Sequence, residues 1–492
     1  MRTWSVPRSC PLAATPAPTG CQDPVNRIVP LVLAVALFME QMDSTVISTA
    51  LPAIAADIGT SPVALKLALT AYLVSVAIFI PVSSWMADRF GPRRLFRWAI
   101  AVFVLGSVAC AASGSLAAFV LARFLQGMGG AMMTPVARLV LVRTTPKRDL
   151  VSAMAWLTVP GLVGPLVGPP VGGFITTFFT WHWIFLINVP IGAAGILLAG
   201  RLLPEIEPSS GGAIDTVGFV FSAIAASGVV FGLSVISLPA LPPAVGFATL
   251  AAGVAAALLY RAHARRTAHP LLNLDLFANR TFRAAIAGGA LFRIGTGAVP
   301  FLLPLMFQIG FGMTPFQSGL LTFASAIGAI SMKFLAPFTL RSGGFRTVLI
   351  ASALLGAAFI AANAAFTPET PAGAIIAVLI GAGFLRSLFF TSSNALVFAD
   401  LEPGDMSQAT AISAVSQQIS IALGVAVAGG IVEATTLVSG EPIGLSAFST
   451  AFVIVGGLTA LAALPFLTLP RDAGSAVSGH GGGKDDVPPT AS

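Results

Sequence analysis

Fourteen apolar stretches of about twenty residues, each closed off by charge, glycine or proline, follow one another through nearly the whole chain. Each is long enough to cross the roughly 30 Å hydrocarbon layer of a bilayer as a helix. A helix satisfies its own backbone hydrogen bonds, so a chain built this way is predicted to be an all-α polytopic membrane protein. The segments fall at roughly 28–50, 64–87, 95–113, 116–141, 150–176, 183–201, 215–236, 244–260, 284–309, 316–340, 347–366, 373–399, 408–435 and 446–468, the eighth being the shortest. Charged residues make up only 9% of the chain and its mean hydropathy is +0.91, against about 25% charge in soluble proteins. The 492 residues are therefore consumed by spans rather than divided among soluble domains.

Charge placement sets the expected orientation. Arg89, Arg93, Arg94 and Arg97, then Arg143, Lys147 and Arg148, Arg201, Arg261, Arg265, Arg266, Arg280 and Arg283, and Arg341 and Arg346 all fall on one side with Arg27 and Arg471. Lys66 alone falls on the other. The positive-inside rule places both termini in the cytoplasm, as an even number of spans requires. The net charge of +7 is thus topological and gives no reason to expect nucleic acid as a partner. The Pro- and Ala-rich tail, residues 1–26, lacks the apolar core of a secretory signal and is expected to be disordered, like residues 471–492. Cys10, Cys21 and Cys110 have no metal or redox spacing, and no cofactor or metal is expected.

Within the first span stand two acids, Glu40 and Asp43. Acids in hydrocarbon cost about 2.5–3.5 kcal/mol each on insertion scales, so they are retained for a job. Nearly all the other acids fall in loops, tails or helix ends, which leaves this pair as nearly the only carboxylates available to carry protons across a membrane. Three residues apart, they share a helix face about 4.5 Å apart along the axis, and their titrations are expected to be coupled. The fourth span holds a cation, Arg123, in Arg123-Phe124-Leu125-Gln126-Gly127, and Asp43 or Glu40 is its natural counter-charge. The alternative use is an ordinary structural ion pair.

Further motifs punctuate the chain. Asp88-Arg89-Phe90-Gly91-Pro92-Arg93-Arg94 follows the second span, and Gly343-Gly344-Phe345-Arg346 follows the tenth, aligning Gly91 with Gly344 and Arg93 with Arg346. That echo divides the chain into six helices (27–201), two extra (202–283) and six more (284–470). In the fifth span, Gly164, Gly168 and Gly172 are spaced by four, with Pro165, Pro169 and Gly173 beside them, giving a flat, closely packing and kinked helix. Arg293, Lys333 and Arg386 are cations inside later spans. No acid in spans nine to twelve is there to pair with them, which leaves water, backbone carbonyls or an anionic substrate. Gln126, Gln308, Asn394 and Gln417 are neutral polar candidates for a cavity or for helix–helix hydrogen bonds. There is no Walker-type phosphate loop, metal cluster or nucleophile elbow, so energy must come from an ion gradient and no enzyme is expected.

Over residues 28–468 the chain resembles the 14-span drug:proton antiporters of the major facilitator superfamily, the EmrB/QacA type. The resemblance is carried by Met42-Asp43-Ser44-Thr45-Val46 through Leu51-Pro52 and by Trp181-His182-Trp183 through Asn188-Val189-Pro190. His182, Phe292-Arg293-Ile294-Gly295 and the stretch from Gln308 to Gly319 are similar to the MdtD-like branch. The resemblance implies a major facilitator fold of two six-helix bundles plus two extra central helices, and alternating access around a midplane site. It implies a multi-pass protein of a bacterial cytoplasmic membrane that exports small molecules in exchange for protons. Asp43, Glu40 and Arg123 would handle the proton. Asp88, Arg89, Gly91, Arg93 and Arg94 would form the gate, and the Gly164–Gly173 motif would mark an exporter. Gln126, Arg293, Gln308, Arg386, Asn394 and Gln417 are the candidates for a substrate cavity. The unpaired cations leave open an exporter of an anionic metabolite or metal chelate, and a non-transporting sensor or scaffold is the remote alternative. A periplasmic adaptor, used by some 14-span relatives, is not indicated by the sequence.

Overall fold

The computed structural model describes residues 28–146, 149–208, 214–238 and 241–470; the two predicted tails, with Arg27, Lys147, Arg148 and Arg471, lie outside the described residues. The described residues form helices and no strands. The first six spans are α1 (Ile28–Asp57), α2 (Lys66–Phe90), α3 (Pro92–Ala111), α4 (Leu116–Thr144), α5 (Leu150–Phe178), and a sixth formed by α6 (Trp183–Leu186) with α7 (Asn188–Leu202). The inserted pair is α8 (Thr216–Ile236) and α9 (Pro243–Ala264). Then follow α10 (Arg280–Leu305), α11 (Pro315–Ala362), α12 (Ala372–Val397), α13 (Met406–Ser439), α14 (Leu445–Ala460) and α15 (Ala463–Leu467).

Thirteen of the described helices are long and apolar enough to cross a membrane, and the chain is a multi-pass membrane protein. The eighth predicted span is longer than its hydropathy suggested, 22 residues in α9. The one expected span not among the thirteen, the tenth (316–340), is the first leg of α11, which includes residues 334–338 and 340–342, whose side chains lie outside the described set. At 48 residues α11 would run about 72 Å if straight, more than twice the hydrocarbon thickness. It is broken at Gly344, where φ is 66° and ψ 162°.

The aligned glycines are structural counterparts. Gly91 ends α2 with φ 83°, so both turns use backbone that other residues rarely adopt. Two residues later the arginines also correspond. The Arg93 guanidinium donates to the carbonyl of Gly200 near the end of α7, and Arg346 Nη2 donates to Leu467 O at the end of α15, 3.1 Å away. Each set of six helices is thus tied, second turn to last helix, by the same kind of latch.

Packing follows the same division. Helix α1 lies along α5 and α10 along α13. Between the sets, α5 meets α11 and α2 meets α13, while α8 touches both α2 and α13. At the other end of the inserted pair Asp215 caps α8, accepting from Gly218 N at 2.8 Å and Leu271 N at 3.1 Å, with His263 Nε2 2.7 Å away. His263, in the last turn of α9, thus has a carboxylate partner. Partial burial works to raise the Asp215 pKa, but the hydrogen bonds from Gly218, His263 and Leu271 outweigh it and hold the carboxyl below its usual 3.8.

A depressed carboxyl pKa stabilises the fold above the unfolded value, and that contribution fades as pH falls through the folded one. Asp215→Ala should therefore lower the Tm of the detergent-solubilised protein at neutral pH. The gap from the parent should narrow below about pH 4, near the unfolded aspartate value; a gap independent of pH would show that the charge is not involved.

Candidate functional site

The acid at position 43 lies at the centre of a polar cluster closed off from solvent. Asp43 is 3% exposed and Arg123 1%. Arg123 Nη1 donates to Asp43 Oδ2 at 2.7 Å. Asp43 Oδ1 accepts from Gln126 Nε2 at 2.8 Å and from Asn188 Nδ2 at 2.9 Å. Both amides also reach Ser107 Oγ, at 2.8 and 3.2 Å. Arg123 and Gln126 are three apart on α4 and project onto the same face, and the guanidinium also donates to the side-chain amide oxygen of Gln126. The cation sits 4.4 Å over the Tyr72 ring from α2, a favourable placement for a desolvated arginine. Five helices (α1, α2, α3, α4 and α7) therefore contribute to one site.

Every group facing the Asp43 carboxylate in this cluster is a donor. Its charge is what holds Arg123 and the two amides in place around it. Glu40 turns elsewhere along α4: it is 7% exposed and accepts from Thr134 Oγ1 at 2.8 Å. Of the two candidate counter-charges, Arg123 takes Asp43.

The glycines of α5 explain how α1 is held. A Cβ on Gly164 would come within 2.9 Å of Met42 N, on Gly168 within 2.0 Å of Thr45 Oγ1, and on Gly172 within 2.5 Å of Val46 O. The four-residue stripe is a flat bed for the segment of α1 that carries Asp43. Gly173 instead faces the start of α11. Pro165 and Pro169, on another face of α5, line a cavity of about 570 Å³. Thr45 and Ser48 of α1 line it too, with α10, α11 and α12 completing the wall.

That cavity sorts the candidate residues. Arg386 and Lys333 line it; Gln126, Arg293, Gln308, Asn394 and Gln417 do not. Gln126 belongs to the Asp43 cluster. Arg293 donates to Asn394 Oδ1 at 2.9 Å and lies 5.1 Å over the Phe390 ring, so an amide and a ring take the place of the missing acid. Gln308 Nε2 bonds Thr49 O at 3.1 Å, joining the π-helical turn after α10 to α1. Gln417 is half-buried on α13.

The loop motif also resolves. Asp88 Oδ1 accepts from Arg143 Nη2 at 2.7 Å, both about one-third exposed. This acid pairs with the last turn of α4, at a helix end within the first set. Arg93 makes the latch and lies 3.4 Å from Glu205, while Arg89 and Arg94 are exposed.

Sequence reasoning missed several partners. Asn188 and Ser107 are small polar residues without charge, so nothing in the hydropathy flagged them. It also treated Glu40 and Asp43 as nearly the only membrane carboxylates and Lys66 as a loop cation, yet Glu433 lies inside α13, 6% exposed, bonded to the fully buried Lys66. The signal was present, since Glu433 falls within the predicted span 408–435. Arg138, one turn beyond Thr134 on α4, is a further cation within a span and was likewise passed over. His182 stacks on Trp181 and approaches Asp57 at 3.8 Å.

Removing one member of a buried ion pair leaves an uncompensated charge, at a cost of about 3–5 kcal/mol. Arg123→Met should thus lower the Tm steeply, whereas Arg123→Gln combined with Asp43→Asn should recover much of the loss. Equal destabilisation in the single and double variants would show that charge compensation is not what holds the site.

The profile of the Major Facilitator Superfamily matches residues 33–425. The chain is 39% identical over 396 residues to the probable transport protein HsrA of Haemophilus influenzae, covering 80% of this chain and 85% of that protein. It is 36% identical over 444 residues to the putative multidrug resistance protein MdtD of Pectobacterium atrosepticum, covering 90% and 95%. Among solved structures a D-xylose–proton symporter aligns over 91% of this chain and 98% of its own, at 15% identity and a TM-score of 0.66, a likeness in fold alone. A transporter of this kind is not an enzyme, and it acts on small molecules. By profile, relatives and architecture together, the chain belongs to the major facilitator superfamily, in the branch of the MdtD-like proteins.

Proposed function

We propose that this transporter exports small, drug-like or amphipathic molecules across a bacterial cytoplasmic membrane in exchange for protons, with Asp43 as the proton carrier. The observation that carries the reading is the buried Asp43 carboxylate, which accepts from Gln126 and Asn188 and is paired with Arg123. Arg123 is the modulator, and Glu40 a second proton site on the same helix. Loading Asp43 loosens α1 from Arg123 on α4, and the glycine bed of α5 transmits the shift to Pro165, Pro169, Thr45 and Ser48 on the cavity wall. The two six-helix units (27–201 and 284–470) rock about that cavity, with the inserted helices (202–283) between them. The Asp88–Arg143 pair and the Arg93 latch serve the cytoplasmic gate, and both termini lie in the cytoplasm. The names of the MdtD relatives support a drug-like cargo, and the exporter direction rests on the resemblance of the α5 motif.

A second reading of the cargo has its own support. Lys333 and Arg386 are cavity-lining cations, and among the described residues no acid lines that cavity. An anionic metabolite or chelate would satisfy them.

In vesicles with an imposed pH gradient, Asp43→Asn should abolish export, and Glu40→Gln should weaken it or move its pH optimum. Full activity in the double variant would remove both acids from coupling and revive a sensor or scaffold role. Arg386→Gln separates the cargo readings. It should depress organic-acid efflux while sparing cationic dyes if the cargo is anionic, and the opposite pattern rejects that cargo.

A further inference from the structure

We propose that Lys66, Glu433 and Ser237 form a closure at the end of the transporter opposite the Asp88 loop, and that the inserted helix α8 is one of its working parts. Lys66 opens α2 and is completely buried. Its ammonium donates to the Glu433 carboxylate on α13 and to Ser237 Oγ at the end of α8, 2.8 Å away. The three helices come from the three parts of the chain: the first six-helix set, the second, and the inserted pair. Lys66 reaches its partners along a slot at Gly429, where a Cβ would meet the lysine Cδ at 2.5 Å.

The arrangement is poorly suited to stability alone. Glu433 Oε1 is buried without a hydrogen-bond partner among the described residues, and a buried ion pair with an unsatisfied oxygen is often no better than well-packed apolar side chains. What an ion pair offers over an apolar contact is a joint that water or a proton can undo. Asp88 lies 22 residues further along the same helix, about 33 Å by helical rise, so the two charged contacts stand at opposite ends of α2. If the halves rock as proposed above, on which this inference rests, separating α2 from α13 at this end must pull Lys66 from Glu433. Ser237 makes the inserted pair part of that event.

The test uses full-length protein with Cys10, Cys21 and Cys110 replaced by serine. Nitroxide labels go at Ala56→Cys, on the first set, and Val438→Cys, on the second, both exposed. Distances are read by pulsed electron resonance. Glu433→Gln and Lys66→Met should each create a longer-distance population absent or minor in the parent, and Ser237→Ala a smaller one. Lys66→Met combined with Glu433→Met should return the parent distance by refilling the slot, which also shows that the variants fold. Unchanged distances in both single variants overturn the closure. Vesicle export driven by a pH gradient separates this from the transport reading. Labels that move in a protein without coupled export keep the closure and sink that reading; labels that stay put in a protein that exports sink the closure alone.

Discussion

A carboxylate and a guanidinium sharing a site that water does not reach set the terms for the first half of the molecule. Neither charge is tolerable there alone, so five helices must be placed within hydrogen-bond distance of one another to surround the pair. Asn188, Ser107 and Gln126 supply the remaining bonds, and Tyr72 closes the cluster over the arginine. The glycine stripe of α5 follows from the same requirement. A helix that carries such a site needs firm support on its far side, and backbone-close packing supplies it where lipid gives little drive for helices to associate.

The second half of the molecule is built on other terms. Arg293 is settled by an amide and an aromatic ring, whereas Lys333 and Arg386 face the cavity. Charge is neutralised on one side of the molecule and left available on the other. The cavity lies between them and takes walls from both, so α1 presents Asp43 to the polar cluster and Thr45 and Ser48 to the space where a cargo would sit.

The sequence made most of the fold legible because lipid leaves a chain so few choices: span length, basic loops and the Gly91/Gly344 echo each have a single physical reading. The buried Asp43–Arg123 pair was legible for the same reason, since a charge in an apolar helix demands a partner. What stayed hidden was neutral or misplaced by hydropathy. Asn188 and Ser107 differ little from ordinary helix residues until the fold brings them to Asp43. Lys66 reads as a loop cation because it begins a helix, and only the packing of α13 reveals its acid. The cavity candidates fared worst, because polarity alone cannot tell a residue that lines a space from one that ties two helices together; Gln308 and Asn394 do the latter.

The paired latches at Arg93 and Arg346 carry a mechanical consequence. Each binds the turn between the second and third helix of its set to the last helix of that set, so a push on either element is borne by the ring as a whole. A closed ring of this kind is stiff in bending but free to swing as a body, as a hinged door differs from a curtain. Under the rocking proposed above, such a ring would carry its six helices together at the end where Arg93 or Arg346 holds it.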